Sequence, residues 1–448
     1  MTCSIDGERY WERIVLRHYE DEFEFVVRLF SLGSDALDTA ALNQIRDHFN
    51  SAQYPRFAYE GVAGRGVFGT TYRVRETLPG PGGAGGQGET TRWLAVKRAA
   101  EKEKEALRNE VRWLKELRGS EHIVHFVASR DDGEKEEKEK EKQGPVARLV
   151  WKLSSLRVSN NKNNNRGNKN VKEALKGLEG PVLVMEYLAN GDLGQMYYRT
   201  VKYDLVVPNR VLWSILLCLV RACIAMAYPG KADKNAEPCR EEIPSDGTPP
   251  SNIEHGDLHM GNIMIGDFAR PSSEGEHGLV PVLKLIDFGM AKESKDAVQE
   301  NLFSISKVLI NLIARKVVPT GLGTPATGYK GYRTWATEIL PPQTDDNPFS
   351  SFDYKYATLD PELRDLIARC LAQDPGKRPG LAEMLREVQA AAAAAADKSA
   401  TARDEDVMET DDAIHAFLQR ALYDAEDDTS ENEVTRKDPF GDIGGYDF

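Results

Sequence analysis

The stretch His255-Gly256-Asp257-Leu258-His259-Met260-Gly261-Asn262 gathers two imidazoles, a carboxylate and an amide in one short polar run. Apolar Ile263-Met264-Ile265 follows it directly. A second carboxylate ends the apolar run Leu285-Ile286-Asp287, and Phe288-Gly289 turns the chain after it. Asp257 can accept a proton from a hydroxyl. Asn262 and Asp287 can present oxygens to a hard cation, and magnesium prefers a few oxygen ligands together with phosphate. A polar loop with a buried Asp is structural in most proteins, so these residues alone do not decide for catalysis.

The upstream chain decides. Gly64-Arg65-Gly66-Val67-Phe68-Gly69 lies between strand-like sequence on both sides, Phe57 to Val62 and Thr70 to Arg75. It therefore reads as a hairpin, not as the strand-to-helix turn of a dinucleotide fold. Leu94-Ala95-Val96-Lys97 follows on an alternating strand pattern, then Glu110 within a helical one. The order is glycine loop, Lys, Glu, Asp-x-x-x-x-Asn, Asp-Phe-Gly. This set resembles the signature of the protein kinase superfamily, in the form of a divergent, fungal-like Ser/Thr protein kinase. The resemblance covers roughly residues 55 to 390. It implies an α+β, two-lobed fold with a small β-rich lobe and a larger helical one.

The resemblance also implies roles. Gly64, Gly66 and Gly69 would let backbone N–H groups approach phosphate, with Ala63 beside them and Phe68 shielding the tip. Thr71 stands where kinases usually carry Val over the adenine. Ala95, Met185, Glu186 and Leu188 would line the adenine site, the last two through backbone groups. Lys97 would contact the ATP phosphates, and a carboxylate must hold it. Glu110 flanks the apolar face of its helix and is the expected partner; Glu103 is the alternative. Asp257 would be the catalytic base, beside His259, with Asn262 and Asp287 holding Mg2+. Asp192 would bind a ribose hydroxyl, or equally serve as a helix cap.

Some positions depart from the family. Gly256 replaces the Arg that answers a phosphorylated loop, so no loop-phosphorylation control is expected. His259 replaces a Lys, and His-Gly-Asp-Leu-His-x-x-Asn is similar to small-molecule kinases of the aminoglycoside and choline type. Only Met290 to Glu300 separates Asp-Phe-Gly from the helical run at Asn301, with no Ala-Pro-Glu between. Asn301 keeps the acceptor, but not the charge, of the usual Asp. Yet Leu363 to Pro379 looks like the closing helices of a protein kinase. Its Arg378 needs a carboxylate, and Glu338 is the candidate.

The remaining elements follow from pattern. Residues 9 to 50 read as helical, forming an extension over 1–54 packed on the small lobe, or else as a partly ordered extension. The small lobe spans 55–186 and the large lobe 187–390. An insertion over about 129–179 interrupts the small lobe. Within it the charge run Asp131 to Lys142 and the Asn- and Lys-rich Ser159 to Asn170 read as loop-like or disordered. Val146 to Leu156 reads as a strand or a short helix. Residues 79 to 88 read as a flexible turn, and Lys231 to Pro250 as a polar insertion. In the 391–448 tail, the alanine run extends the last helix and Asp411 to Tyr423 forms a short amphipathic helix. A solvated tail is the expectation there, with docking on the kinase-like domain or on a partner as the alternative.

Bulk composition bounds partners. The 448-residue chain carries a net charge of -13, which argues against nucleic acid or an anionic membrane as its main partner. The five cysteines lack metal-ligand spacing and suit a reducing compartment. The first residues show no apolar signal segment. Val211 to Tyr228 contains Arg221 and reads as a buried helix, not a membrane span. These features predict an intracellular protein, cytoplasmic or nuclear, and the kinase resemblance implies a phosphotransferase using ATP and Mg2+ on a protein hydroxyl. A small-molecule kinase and a non-catalytic nucleotide-binding scaffold are the alternatives.

Overall fold

A computed structural model describes residues 35–66, 69–79, 89–131, 164–230, 238–268, 276–321, 323–342, 354–398 and 404–423. Residues 9–34, the Phe68 loop tip, the turn at 80–88, the Val146 to Leu156 segment and the acidic end lie outside these.

The first part of the chain is built on a five-stranded antiparallel sheet in the order β1-β2-β3-β5-β4. Its strands are β1 (Phe57–Gly66), β2 (Gly69–Pro79), β3 (Glu89–Ala99), β4 (Phe126–Arg130) and β5 (Val182–Glu186). Alternation sends successive side chains to opposite faces. Leu94, Val96, Val182 and Val184 pack on one face with Ile45 and Phe49 of helix α1 (Asp35–Phe49). Ala95, Leu183 and Met185 face the other way, into a core shared with helix α2 (Lys104–Glu116).

One expectation is corrected here. Asn164 to Asn170, read as loop-like, begins helix α3 (Asn164–Ala174). Val171, Ala174, Leu175 and Leu178 are buried against the outer face of the sheet. His48 of α1 also meets the Ala174 carbonyl at 2.6 Å. Burial of this short apolar run overrides the polar composition ahead of it, which a window average cannot register.

The second part is mainly helical: α4 (Leu193–Lys202), α5 (Asn209–Ala227), α6 (Ala297–Ala314), α7 (Pro361–Cys370), α8 (Leu381–Lys398) and α9 (Asp411–Leu418). Short antiparallel pairs carry the chemistry between them: β6 (Ile253–Glu254) with β9 (Lys292–Glu293), and β7 (Ile263–Ile265) with β8 (Leu283–Leu285). A further hairpin joins β10 (Thr327–Tyr329) to β11 (Tyr332–Thr334). Helix α5 is long and apolar enough to cross a membrane, but 94% of its most apolar window is buried inside the protein. The architecture is mixed α and β, compatible with the two-lobed arrangement that the resemblance implies.

The tail and Arg378 also differ from expectation. Residues 411–423 do not lie free in solvent; Ile414, Phe417, Leu418, Ala421 and Leu422 are buried in the main core. Glu409 caps α5, accepting from the Asn209 N–H at 2.8 Å and the Arg210 N–H at 3.0 Å. Arg199 donates to the Leu422 carbonyl at 2.6 Å. Arg378 pairs with Glu300 at 2.9 Å, whereas Glu338 pairs with Lys316, also at 2.9 Å. Glu300 lies in the first turn of α6, so the short segment before α6 brings its own carboxylate to the arginine.

Candidate active site

Lys97 lies on β3 opposite Thr71 of β2, and Thr71 in turn pairs with Gly64. The hairpin therefore hangs beside the lysine. Gly69 has φ +146°, and a Cβ there would sit 2.1 Å from the Arg98 carbonyl oxygen, so the fold itself demands glycine. Gly64 and Gly66 differ: among the described residues, a Cβ on either meets nothing within 4 Å. Internal packing gives no reason for those two glycines. Ala63 sits in the register shift between Val62 and Gly64 and is exposed.

Lys97 donates to Glu110 Oε2 at 2.8 Å and lies 3.0 Å from Asp287 Oδ2. Glu110 is reached because α2 turns it inward with Leu107, Val111 and Leu114, all buried. Burial opposes the Lys97 charge, but the two carboxylates outweigh it and hold the pKa above the usual lysine range. Burial also pushes the Glu110 carboxyl up, to about 7, against the pull of Lys97.

Asp287, two residues past β8, adopts a left-handed conformation, φ 59° and ψ 71°, uncommon in residues other than glycine. Phe288 after it is fully buried. Its ring centroid lies 4.7 Å from that of His255, with the ring planes tilted by 50°. His255 is buried and bonds the Ile286 carbonyl through Nε2 at 3.0 Å, so that nitrogen carries the proton. The Ile286 N–H donates to the Asn262 carbonyl at 3.0 Å. These bonds tie the Asp257 loop to the strand carrying Asp287. Asn301 fixes the other side of the loop: its Oδ1 accepts from the His255 N–H at 3.0 Å, and its Nδ2 donates to the Ile253 carbonyl at 2.9 Å.

Asp257 is half-buried. The Asn262 amide donates to its carbonyl at 2.8 Å and to its Oδ2 at 3.2 Å. His259 Nδ1 accepts from the Gly261 N–H at 3.1 Å, and its Nε2 lies 3.7 Å from Asp257 Oδ2. Hydrogen bonding to His259 holds the Asp257 carboxyl below its ordinary value, although burial opposes this. Gly256 has φ +79°, and a Cβ there would fall 2.5 Å from the Met290 carbonyl oxygen. The segment after Asp287 thus passes where an arginine would have to begin.

The other expected residues lie on β3, on β5 and on the chain just beyond it. Ala95 and Met185 pair across β3 and β5, both buried. The Glu186 side chain turns away, accepting from the His125 N–H and from Lys284 Nζ, each at 2.7 Å. Leu188 is partly buried just beyond β5. Asp192 caps α4, accepting from the Gln195 N–H at 2.9 Å and its Nε2 at 3.2 Å. Phe68 lies outside the described residues. An open groove of about 720 Å³ lies elsewhere, at the β10–β11 hairpin, on elements that supply none of these side chains.

Asn109 and Trp113 of α2 were not legible beforehand. The Asn109 amide donates to the Gly289 carbonyl at 2.9 Å and the Ala291 carbonyl at 2.7 Å, and the Trp113 indole donates to Ala291 at 3.0 Å. They hold the Glu110 helix against the segment after Asp287. Their partners lie far away in sequence, so no local pattern signals them. Lys284 did give a signal, as a charge inside the apolar run Val282 to Ile286.

No family model matches the chain. It is 25% identical over 234 residues to the G2-specific protein kinase nim-1 of Neurospora crassa. That match covers 48% of this chain and 25% of that kinase, so the chain spans a quarter of the relative's length. The relationship is kinase-like.

Proposed function

We propose that the protein is an ATP-dependent phosphotransferase with a two-lobed protein-kinase-like fold, acting on a protein Ser or Thr hydroxyl. The observation that carries this is Lys97, held 2.8 Å from Glu110 and 3.0 Å from Asp287 beneath a glycine hairpin. Asp287 is in turn tied through Ile286 to Asn262 and the Asp257 loop. Asn262 and Asp287 offer oxygens only, which suits Mg2+. When bound there, that ion would neutralise phosphate charge.

The roles follow from position. The Gly64 and Gly66 backbone would lie close to the phosphates, and Lys97 would hold them by its charge. Ala95, Met185, Glu186 and Leu188 would frame the adenine. Asp257, kept ionised, would orient the acceptor hydroxyl and take its proton as oxygen bonds the γ-phosphorus and ADP leaves. Such catalysis is positioning and electrostatic stabilisation in the main. Asn109 and Trp113 already brace α2, so no loop phosphate would be needed. The free cysteines Cys218, Cys223, Cys239 and Cys370 suit an intracellular location.

One observation favours a second reading. Only Met290–Asp296 lies between the Phe288-Gly289 turn and α6, and it holds the short strand β9. That leaves little platform for a peptide and favours a small hydroxylated acceptor. The Arg378–Glu300 closure beside α7 and α8 favours the protein kinase. The test is incubation with labelled ATP and Mg2+, comparing wild type with Asp257→Asn and Lys97→Met. Label on protein acceptors, lost in both variants, is expected. ATP consumption beyond a water blank without labelled protein would select the small acceptor. Neither turnover nor nucleotide-dependent thermal stabilisation would leave a scaffold.

A further inference from the structure

A second cluster of chemically able side chains lies in the interior, apart from Lys97, Asp257 and Asp287. His122, Cys218 and His277 converge in the interior, with one ligand atom from each lying within 4.8 Å of the others. All three are buried. They come from separate elements: the chain between α2 and β4, the middle of α5, and the approach to β8.

We propose that His122, Cys218 and His277 bind a transition-metal ion of the zinc class, as a structural staple joining these three elements. The proposal is independent of the phosphotransferase reading. A thiolate with two imidazoles is a donor set for Zn2+, and unlike an oxygen cage it does not suit Mg2+ or Ca2+. Zn–N lengths of about 2.0–2.1 Å at tetrahedral angles give a nitrogen–nitrogen edge of about 3.3 Å. The His122 and His277 Nε2 atoms are 3.1 Å apart. One imidazole gives an ion a single nitrogen, so with His277 Nε2 ligating, the 3.8 Å approach of Cys218 Sγ to His277 Nδ1 is not an edge of the site; the sulfur joins the two imidazoles through the common 4.8 Å separation of the three ligand atoms.

The surroundings are those of a built site. His122 Nδ1 meets Glu241 Oε2 at 2.6 Å, and the same carboxylate accepts from the His122 backbone N–H at 2.9 Å. A carboxylate on one imidazole nitrogen fixes the tautomer and leaves the other free to ligate. Arg221, one turn beyond Cys218 on α5, donates to Glu276 Oε1 at 2.6 Å and also to the Glu241 carbonyl. It thereby holds the neighbour of His277 and the partner of His122 to the helix that bears Cys218.

The competing arrangement is metal-free: the thiol donates to His277, His277 to His122, and His122 to Glu241. It satisfies each donor, and the experiment separates the two. Dialysed full-length protein is assayed for metal content, then stripped with chelator and refilled with Co2+. One Zn2+ per chain is expected. The Co2+ form should show a sulfur-to-cobalt charge-transfer band that Cys218→Ser abolishes and Cys223→Ser retains. His277→Gln should weaken metal retention at least tenfold. Absence of bound metal, or a Co2+ spectrum without the sulfur band in wild-type protein, would overturn the site whether or not the variants fold.

Discussion

At the residue scale, the Lys97–Glu110–Asp287 contact sets two opposing demands. Lys97 must stay charged, and Glu110 is buried deeply enough for its carboxyl to titrate near 7. A carboxyl whose folded pKa is raised stabilises the fold below its unfolded value and loses that contribution as pH rises through the folded one. The window runs from the ordinary value of 4.5 to about 7. Glu110→Gln should remove this slope, so its stability relative to wild type should rise as pH goes from about 5 to about 8. Urea unfolding of both proteins across that range checks it; parallel curves would contradict the burial argument. Asp257 behaves oppositely, being held low beside His259. His259→Ala should therefore move the acidic limb of any transfer rate to higher pH, read from a pH–rate profile.

At the element scale, helix α2 is placed by bonds that reach across the chain. Asn109 and Trp113 both donate to the Ala291 carbonyl. Asn109→Ala should cost about 1–3 kcal/mol, because the Gly289 carbonyl loses a partly buried donor and the Ala291 carbonyl keeps only Trp113. Amide hydrogen exchange should quicken in Lys104–Glu116 and beyond Phe288; unchanged protection would show that packing alone holds the helix. The tail helix is the other element whose placement matters. Phe417 is buried in the main core, so Phe417→Ala should cost about 3–5 kcal/mol in thermal or urea unfolding. A loss below about 0.5 kcal/mol would mean that α9 does not dock in solution.

At the scale of the whole molecule, the main core runs without a break from Leu107 and Met185 into α5 and α6. The two parts of the chain are packed together, so a ligand held between them should stabilise both. Mg-ATP at a hundredfold excess over its dissociation constant should add about 2.7 kcal/mol. Differential scanning should show a single shifted transition, lost in Lys97→Met. A shift that survives in that variant would place the nucleotide elsewhere.

The sequence by itself determined the order of chemical groups, because each rests on local chemistry. A glycine run between strands makes a hairpin, an apolar strand ending in Asp sets up a turn, and an amphipathic period turns Glu110 inward. Lys97, Asp257, Asn262 and Asp287 stood out as candidates for that reason. What depends on long-range contact was not. Arg378 took Glu300 in place of Glu338, because the shortened segment before α6 brings a nearer carboxylate. The polar run at Asn164 became helix because Val171 and Leu175 found the outer face of the sheet. The solvated tail became a packed helix because its apolar face met α4 and α5. The buried His122, Cys218 and His277 were scattered residues with no shared spacing, and only the tertiary structure brought them together. A local pattern carries the propensity of its own segment; which distant surface completes that segment is decided by burial.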